Sequence, residues 1–230
     1  MKVRLNYTDR YGNRTSTDSE ALPKHPLVPP SADLTLNLTQ ELTTVLLLAI
    51  DRALDAHYAL QDVGIEQTTL DSEKGIEVVG GNGPVGRLFG FCAAMRPFML
   101  NDDQLCFTKL VKSVQQLNGA ALKDWGRSLR ARWDNAAFGS SIRLQVGEVP
   151  IDSKTILNSY FNDRTFHTRP QKDDVVSFQK IEQALGGERQ AASFVFWLLR
   201  DHLLLVFNLL HDVADMSPAF KAAVEERLTD

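Results

Sequence analysis

Cysteine is scarce in this chain: there are two in 230 residues, Cys92 and Cys106. Both sit among apolar neighbours (Phe91, Leu105, Phe107), and their separation of 14 residues matches no redox or metal-ligand spacing. They read as buried free thiols in a reducing compartment, which excludes a disulfide scaffold. An excess of one charge is lacking too. Lys and Arg number 25 against 29 Asp and Glu, a formal net charge of −4, so the chain is not a globally basic nucleic-acid coat. No period of about 20–50 residues repeats, which excludes a solenoid or propeller. The opening MKVRLNYTDRYGNRT holds no apolar core of the kind a signal peptide needs, and a cytoplasmic location is expected.

Long uninterrupted apolar runs are also missing. The best candidate is Phe194 to Leu210, FVFWLLRDHLLLVFNLL, but Arg200, Asp201 and His202 fall near its middle. Each Arg or Asp there would cost about 2.5–3.5 kcal/mol on insertion, so the stretch predicts a buried helix and not a membrane span.

The remaining composition is that of a folded globular domain, with 43% hydrophobic and 23% charged residues. A chain of this length buries roughly 70–75% of its unfolded surface and needs no metal to stay folded. Residues 1–37 differ from the rest. Val3, Leu5 and Tyr7 alternate with polar residues ahead of the turn-forming DRYGN, which suggests a short hairpin. Four prolines between Pro23 and Pro30 then impose extended chain. This segment is expected to be an arm, and residues 38–230 a helical domain.

Within that domain Thr39 is placed to cap a helix reaching Val63, with Leu42, Val45, Leu46, Ala49, Ile50, Ala53, Leu54 and Tyr58 at helical spacing. A strand is expected at 76–79, then a glycine-rich loop at 80–86 and a helix over 87–95 that stops before Pro97. Further helices are expected at 102–117, 120–137, 151–162 and 173–185, the last closed by Gly186 and Gly187, with a strand at 142–146. The longest helix runs from 188 to 215, and Ser217 with Pro218 opens a final amphipathic one. The fold class is mainly α: a single-domain helical bundle with a small β element and an extended N-terminal arm. On the longest helix Arg200, Asp201, Asn208, His211, Asp212 and Asp215 fall within about 120° of one another at about 100° per residue. The remaining circumference is apolar, suited to the spine of a bundle or to completion by a second subunit, so a homodimer is expected. His202 falls on the apolar arc and reads as a hydrogen-bonded core residue.

Four features could carry function. Gly81-x-Gly83-x-x-Gly86 follows a predicted strand and resembles the dinucleotide-binding fingerprint, whose glycines let backbone approach a pyrophosphate at a helix N-terminus. FMLNDDQLCF, about twenty residues on, is not the βα unit that family requires, and the alternative is a plain glycine-rich turn. Arg52 and His57 match the Arg-x4-His spacing of the HEPN-type ribonucleases. That resemblance implies His57 as the acid/base in RNA transesterification and Arg52 as the phosphate clamp, without metal. The family usually has a polar residue after the Arg, where this chain has Ala53. Five residues also set the pair about 140° apart on a helix. The alternative is a solvated Arg and a half-buried His.

The third feature is the junction NDRTFH, where Asn162, Arg164 and His167 could line a small-ligand or phosphate pocket, or close a capped turn around Phe166. The fourth is regional charge. Between Gln104 and Trp133 there are six basic residues, Lys109, Lys112, Lys123, Arg127, Arg130 and Arg132, against Asp124 alone. Trp125, Leu129 and Trp133 form the apolar stripe of the same helix, which leaves Arg127 and Arg130 for a phosphate or acidic protein partner. No metal-ligand spacing or nucleophile elbow is present, and no cofactor is expected.

These features favour a non-enzymatic helical interaction module, of the kind that accessory proteins of mobile-element or defence systems use. Its contact surface is the basic helix 120–137 through Lys123, Arg127, Arg130 and Arg132, facing a protein or nucleic-acid partner. A metal-independent ribonuclease at Arg52 and His57 is the second reading, and a small-ligand protein at Asn162, Arg164 and His167 the third.

Overall fold

A computed structural model of the chain describes residues 4–8, 14–18, 30, 33–62, 84–100, 103–135, 144–146, 149–151, 180, 183 and 187–229. Six helices order these residues: α1 (Gln40–Asp62), α2 (Pro84–Met99), α3 (Phe107–Leu117), α4 (Lys123–Asn135), α5 (Glu188–Met216) and α6 (Pro218–Thr229). Strand β1 (Arg4–Thr8) pairs antiparallel with β2 (Arg14–Asp18), and β3 (Leu144–Val146) with β4 (Val149–Ile151). Two-stranded ribbons are marginal on their own, so the fold is mainly α and rests on its helices. The chain divides into two compact units. One comprises Met1–Lys24, His57–Ala93 and Asn135–Asp201; the other comprises His25–Ala56, Ala94–Asp134 and His202–Asp230.

In the second unit α1 starts where the sequence places its cap. The Leu42 N–H donates to Thr39 Oγ1 at 3.2 Å, and the Thr43 N–H to the Thr39 carbonyl at 2.9 Å. Leu46, Ala49, Ile50, Ala53 and Ala56 then give the helix one buried face. The segment before it is tied down by the Leu36 N–H, which donates to the Met216 carbonyl at the end of α5 (2.7 Å). From 203 to 216 α5 buries Leu203, Leu205, Val206, Leu209, Leu210, Val213 and Met216. A single residue, Ser217, separates it from α6. Pro218 suits the first helical position, where its missing N–H costs nothing. Arg227 of α6 forks onto Asp51 of α1, with Nε at 2.8 Å from Oδ1 and Nη2 at 2.5 Å from Oδ2.

In the first unit the amino-terminal part of α2 and the first half of α5 meet through Phe91 and Phe196, whose ring centroids lie 5.9 Å apart. Leu88, Phe91 and Cys92 are fully enclosed there, as are Val195, Leu198 and Leu199. Gly187, just ahead of α5, has φ 119°, a left-handed backbone that favours glycine. Cys92 and Cys106 are both buried, and neither is in a disulfide.

The bounds of three helices differ from the sequence reading. Helix α2 starts at Pro84, so Gly86 lies inside a helix and not in a phosphate-cradling loop. It also continues through Pro97 to Met99. Enclosing Met95 and Phe98 contributes about 1.5–3 kcal/mol each, enough to offset the roughly 3 kcal/mol that an internal proline costs. Helices α3 and α4 begin at Phe107 and Lys123, because 103–106 and 118–122 are taken up by turns. A larger difference concerns α5. Its carboxy-terminal polar residues Asn208, His211 and Asp215 are exposed as the angular reading requires, yet Arg200 and Asp201 are buried. The helix wheel groups residues by direction and does not say which directions other elements cover. The expected strand at 76–79, most of the expected helices over 151–162 and 173–185, and most of the proline-bearing segment lie outside the described residues; Ile151, expected to open a helix, ends β4.

Candidate functional site

The basic segment becomes a helical hairpin. Its sequence dictates this: α3 repeats Phe107, Leu110, Val111 and Val114, and α4 repeats Trp125, Leu129 and Trp133, with Leu122 just ahead of it. Each set is buried along one side of its helix. The link 118–122 is a hydrogen-bonded turn, with the Asn118 N–H on the Gln115 carbonyl (3.3 Å) and the Leu122 N–H on the Asn118 carbonyl (3.0 Å). Two contacts define the pairing. Phe107 stacks on Trp133 at 4.1 Å and 10°, and the Gln115 side chain lies against Gly126 with no room for a Cβ. The helices are therefore antiparallel neighbours, and Lys112 comes opposite the turn between Arg127 and Arg130.

The inner side of the hairpin is anchored on α5. Trp133, already stacked on Phe107, takes His202 edge-on at 4.3 Å and 89°. His202 Nε2 donates to the Trp133 carbonyl at 3.1 Å, so the buried imidazole is a hydrogen-bonded core residue. Two turns earlier on α4, Trp125 Nε1 donates to Asp212 Oδ2 at 2.7 Å. Burial pushes the Asp212 carboxyl above the usual carboxylate range, against the opposing pulls of the Trp125 hydrogen bond and His211; Asp215 adds to the rise.

Outward, Lys109 and Lys112 of α3 and Lys123 and Arg127 of α4 are exposed, and Arg130 is half-buried. Arg132 is not part of this face. It is only 8% exposed, because it lies three residues after Leu129 and seven after Trp125, on the apolar stripe itself. That spacing was legible in the sequence and corrects the expected four-residue patch of Lys123, Arg127, Arg130 and Arg132. The acids on the face are Asp124, which pairs with Arg127 at 3.2 Å, and Asp134. Five cations thus stand against two acids along the hairpin's solvent side. Lys109 Nζ also donates to the Asp103 carbonyl at 3.2 Å.

The structure does not bring Arg52 and His57 together. Arg52 is exposed and paired with Asp55 at 3.1 Å, whereas His57 is 5% exposed, on the inner side of α1. Its ring tilts against Tyr58 at a 6.2 Å centroid distance. Asn162, Arg164 and His167 lie outside the described residues, as do Gly81 and Gly83. Among the described residues no three His, Cys, Asp or Glu side chains gather as a metal site, and no helix is long and apolar enough to cross a membrane. No protein-family model, curated protein or solved structure matches the chain.

Proposed function

We propose that the protein is a non-catalytic interaction module that engages an anionic partner through the solvent side of the α3–α4 hairpin. The observation that carries this reading is the division of labour within the hairpin. Every aromatic and most large aliphatic side chains of the two helices point inward, which leaves Lys109, Lys112, Lys123 and Arg127 to define the outer face. The inner anchors, Trp125 on Asp212 and Trp133 on His202, hold that face on a rigid base, which limits the ordering cost of binding. The reading needs one chain only. Most of the described apolar side chains of α5 between Val195 and Met216 are enclosed within a single copy, Leu204 and Phe207 being half-buried. Association into a homodimer would double the cationic face without completing it. The ribonuclease reading draws no comparable support from Arg52 and His57, which occupy different environments.

Retention on immobilised heparin tests the proposal. The whole protein should bind at low salt, and a Lys112→Gln/Lys123→Gln/Arg127→Gln variant should elute at distinctly lower salt. Arg52→Gln, a cation outside the hairpin, should elute with the parent. Equal elution of all three proteins would refute the assignment of the face.

A further inference from the structure

Resting on that reading, we infer that the anion taken by the α3–α4 face is the phosphate backbone of double-stranded nucleic acid, held without reading its bases. Three kinds of macromolecule present dense negative charge: acidic proteins, single strands and duplexes. The face discriminates among them by what it lacks beside its cations. Beside the Lys and Arg positions its exposed residues are Gln116, the turn residues Asn118, Gly119, Ala120 and Ala121, and Asp124, Ala131 and Asp134. Among the described residues of the hairpin no aromatic or large aliphatic side chain is exposed.

The energy of a stable protein–protein contact concentrates in a few desolvated aromatic, apolar or Arg anchors seated in pockets, while rim charges chiefly tune encounter rates. The exposed Arg of this face, Arg127, stands in solvent and is paired with Asp124, so the face offers rim chemistry. Single strands need aromatic platforms, because stacking contributes about 1–3 kcal/mol per base. The hairpin's aromatics cannot serve: Phe107 is fully enclosed, Trp125 is 1% exposed and Trp133 8%, each turned toward the protein interior. Duplex nucleic acid requires neither anchors nor stacking. It carries one charge per roughly 1.7 Å of axis, and non-specific affinity comes from point charges that release counterions. An extended acidic peptide carries one charge per about 3.4 Å at most, half that density.

The expected size of the effect follows from the count. Lys109, Lys112, Lys123 and Arg127 provide about four phosphate contacts, so log K should fall with log salt at a slope near −3.6. Affinity then drops by about 150-fold between roughly 50 and 200 mM salt. Asp124 and Asp134 keep the absolute affinity modest and make low salt the regime to examine.

The experiment is fluorescence anisotropy of the whole protein with three labelled probes. These are a duplex of about 20 base pairs in two unrelated sequences, the corresponding single strand, and polyglutamate of comparable length. Each is titrated across that salt range with the parent, Lys112→Gln/Lys123→Gln and Arg52→Gln, whose folding is checked by circular dichroism. The duplex should bind most tightly and equally for both sequences. Lys112→Gln/Lys123→Gln should reduce the slope by about 1.8, and Arg52→Gln should leave it unchanged. If polyglutamate or the single strand matches or exceeds the duplex and the lysine variant weakens it, the nucleic-acid inference fails while the cationic face stands. If no probe binds at the lowest salt, or the lysine variant binds like the parent, both fail.

Discussion

The Trp125–Asp212 hydrogen bond joins the α3–α4 hairpin to α5, and its strength can be worked out residue by residue. Trp125→Phe keeps an aromatic ring in the same enclosed site and removes the Nε1 donor that lies 2.7 Å from Asp212 Oδ2. A hydrogen bond to a charged acceptor contributes about 1.5–3 kcal/mol, and the half-buried setting of Asp212 places this one toward the lower end. The volume lost between indole and phenyl adds about 1 kcal/mol of cavity cost. The expected destabilisation is about 3 kcal/mol, which for a chain of this size lowers Tm by about 6–12 °C. Urea unfolding followed by circular dichroism reads the first quantity and a thermal scan the second.

Asp212→Asn separates the hydrogen bond from the charge. The amide oxygen still accepts from Trp125, but the charge that burial opposes is gone. The folded carboxyl titrates above its ordinary value near 3.8, chiefly because it is desolvated. As pH rises past that value the unfolded chain gives up its proton first, so the folded state binds more protons and stability falls until the folded value is passed. Asp212→Asn escapes that loss. It should match the parent on the acid side of 3.8 and exceed it at neutral pH, where Trp125→Phe remains much the less stable of the two. A Trp125→Phe penalty below about 1 kcal/mol would refute the reasoning, because it would fall short of the cavity cost and bond together. So would an Asp212→Asn loss as large as that of Trp125→Phe.

Other perturbations address the supports of the fold. Thr39→Ala removes the side-chain acceptor of the Leu42 N–H and should cost about 1 kcal/mol, with faster amide exchange in the first turn of α1, while Thr39→Ser retains the parent's protection. A Cβ at Gly126 would come 2.7 Å from Gln115 Oε1 and 3.0 Å from its Cδ. Gly126→Ala alone should therefore gain little, whereas in a Gln115→Ala background the same change should stabilise by about 0.5–1 kcal/mol in urea unfolding. Asp51→Asn breaks the charged fork from Arg227 and should speed amide exchange in α6, an effect that shrinks in high salt because the pair is exposed.

What could be read from the sequence, and what could not, divides along physical lines. Thr39, Ser217 and Pro218 act on the backbone within one turn of themselves, so the bounds they set at α1, α5 and α6 were legible. Pro97 acts locally too, but its local cost was outweighed by the enclosure of Met95 and Phe98, a term that depends on contacts from elsewhere in the fold. The polar strip of α5 fails in the same way. Arg200 and Asp201 share their angular sector with Asn208, His211 and Asp215, yet the first two are buried and the last three are not. Angle is a property of one helix, whereas cover is supplied by other elements. His202 finds its hydrogen bond on Trp133, 69 positions away, and Trp125 finds Asp212 at a distance of 87. The candidate face shows both cases. Lys109, Lys112, Lys123 and Arg127 are outward by periodicity alone, and the same periodicity, applied to Trp125, Leu129 and Arg132, takes Arg132 out of the face. A patch defined by counting charges along the sequence overstates its cations, and one defined by the side opposite the apolar stripe recovers the set that solvent meets.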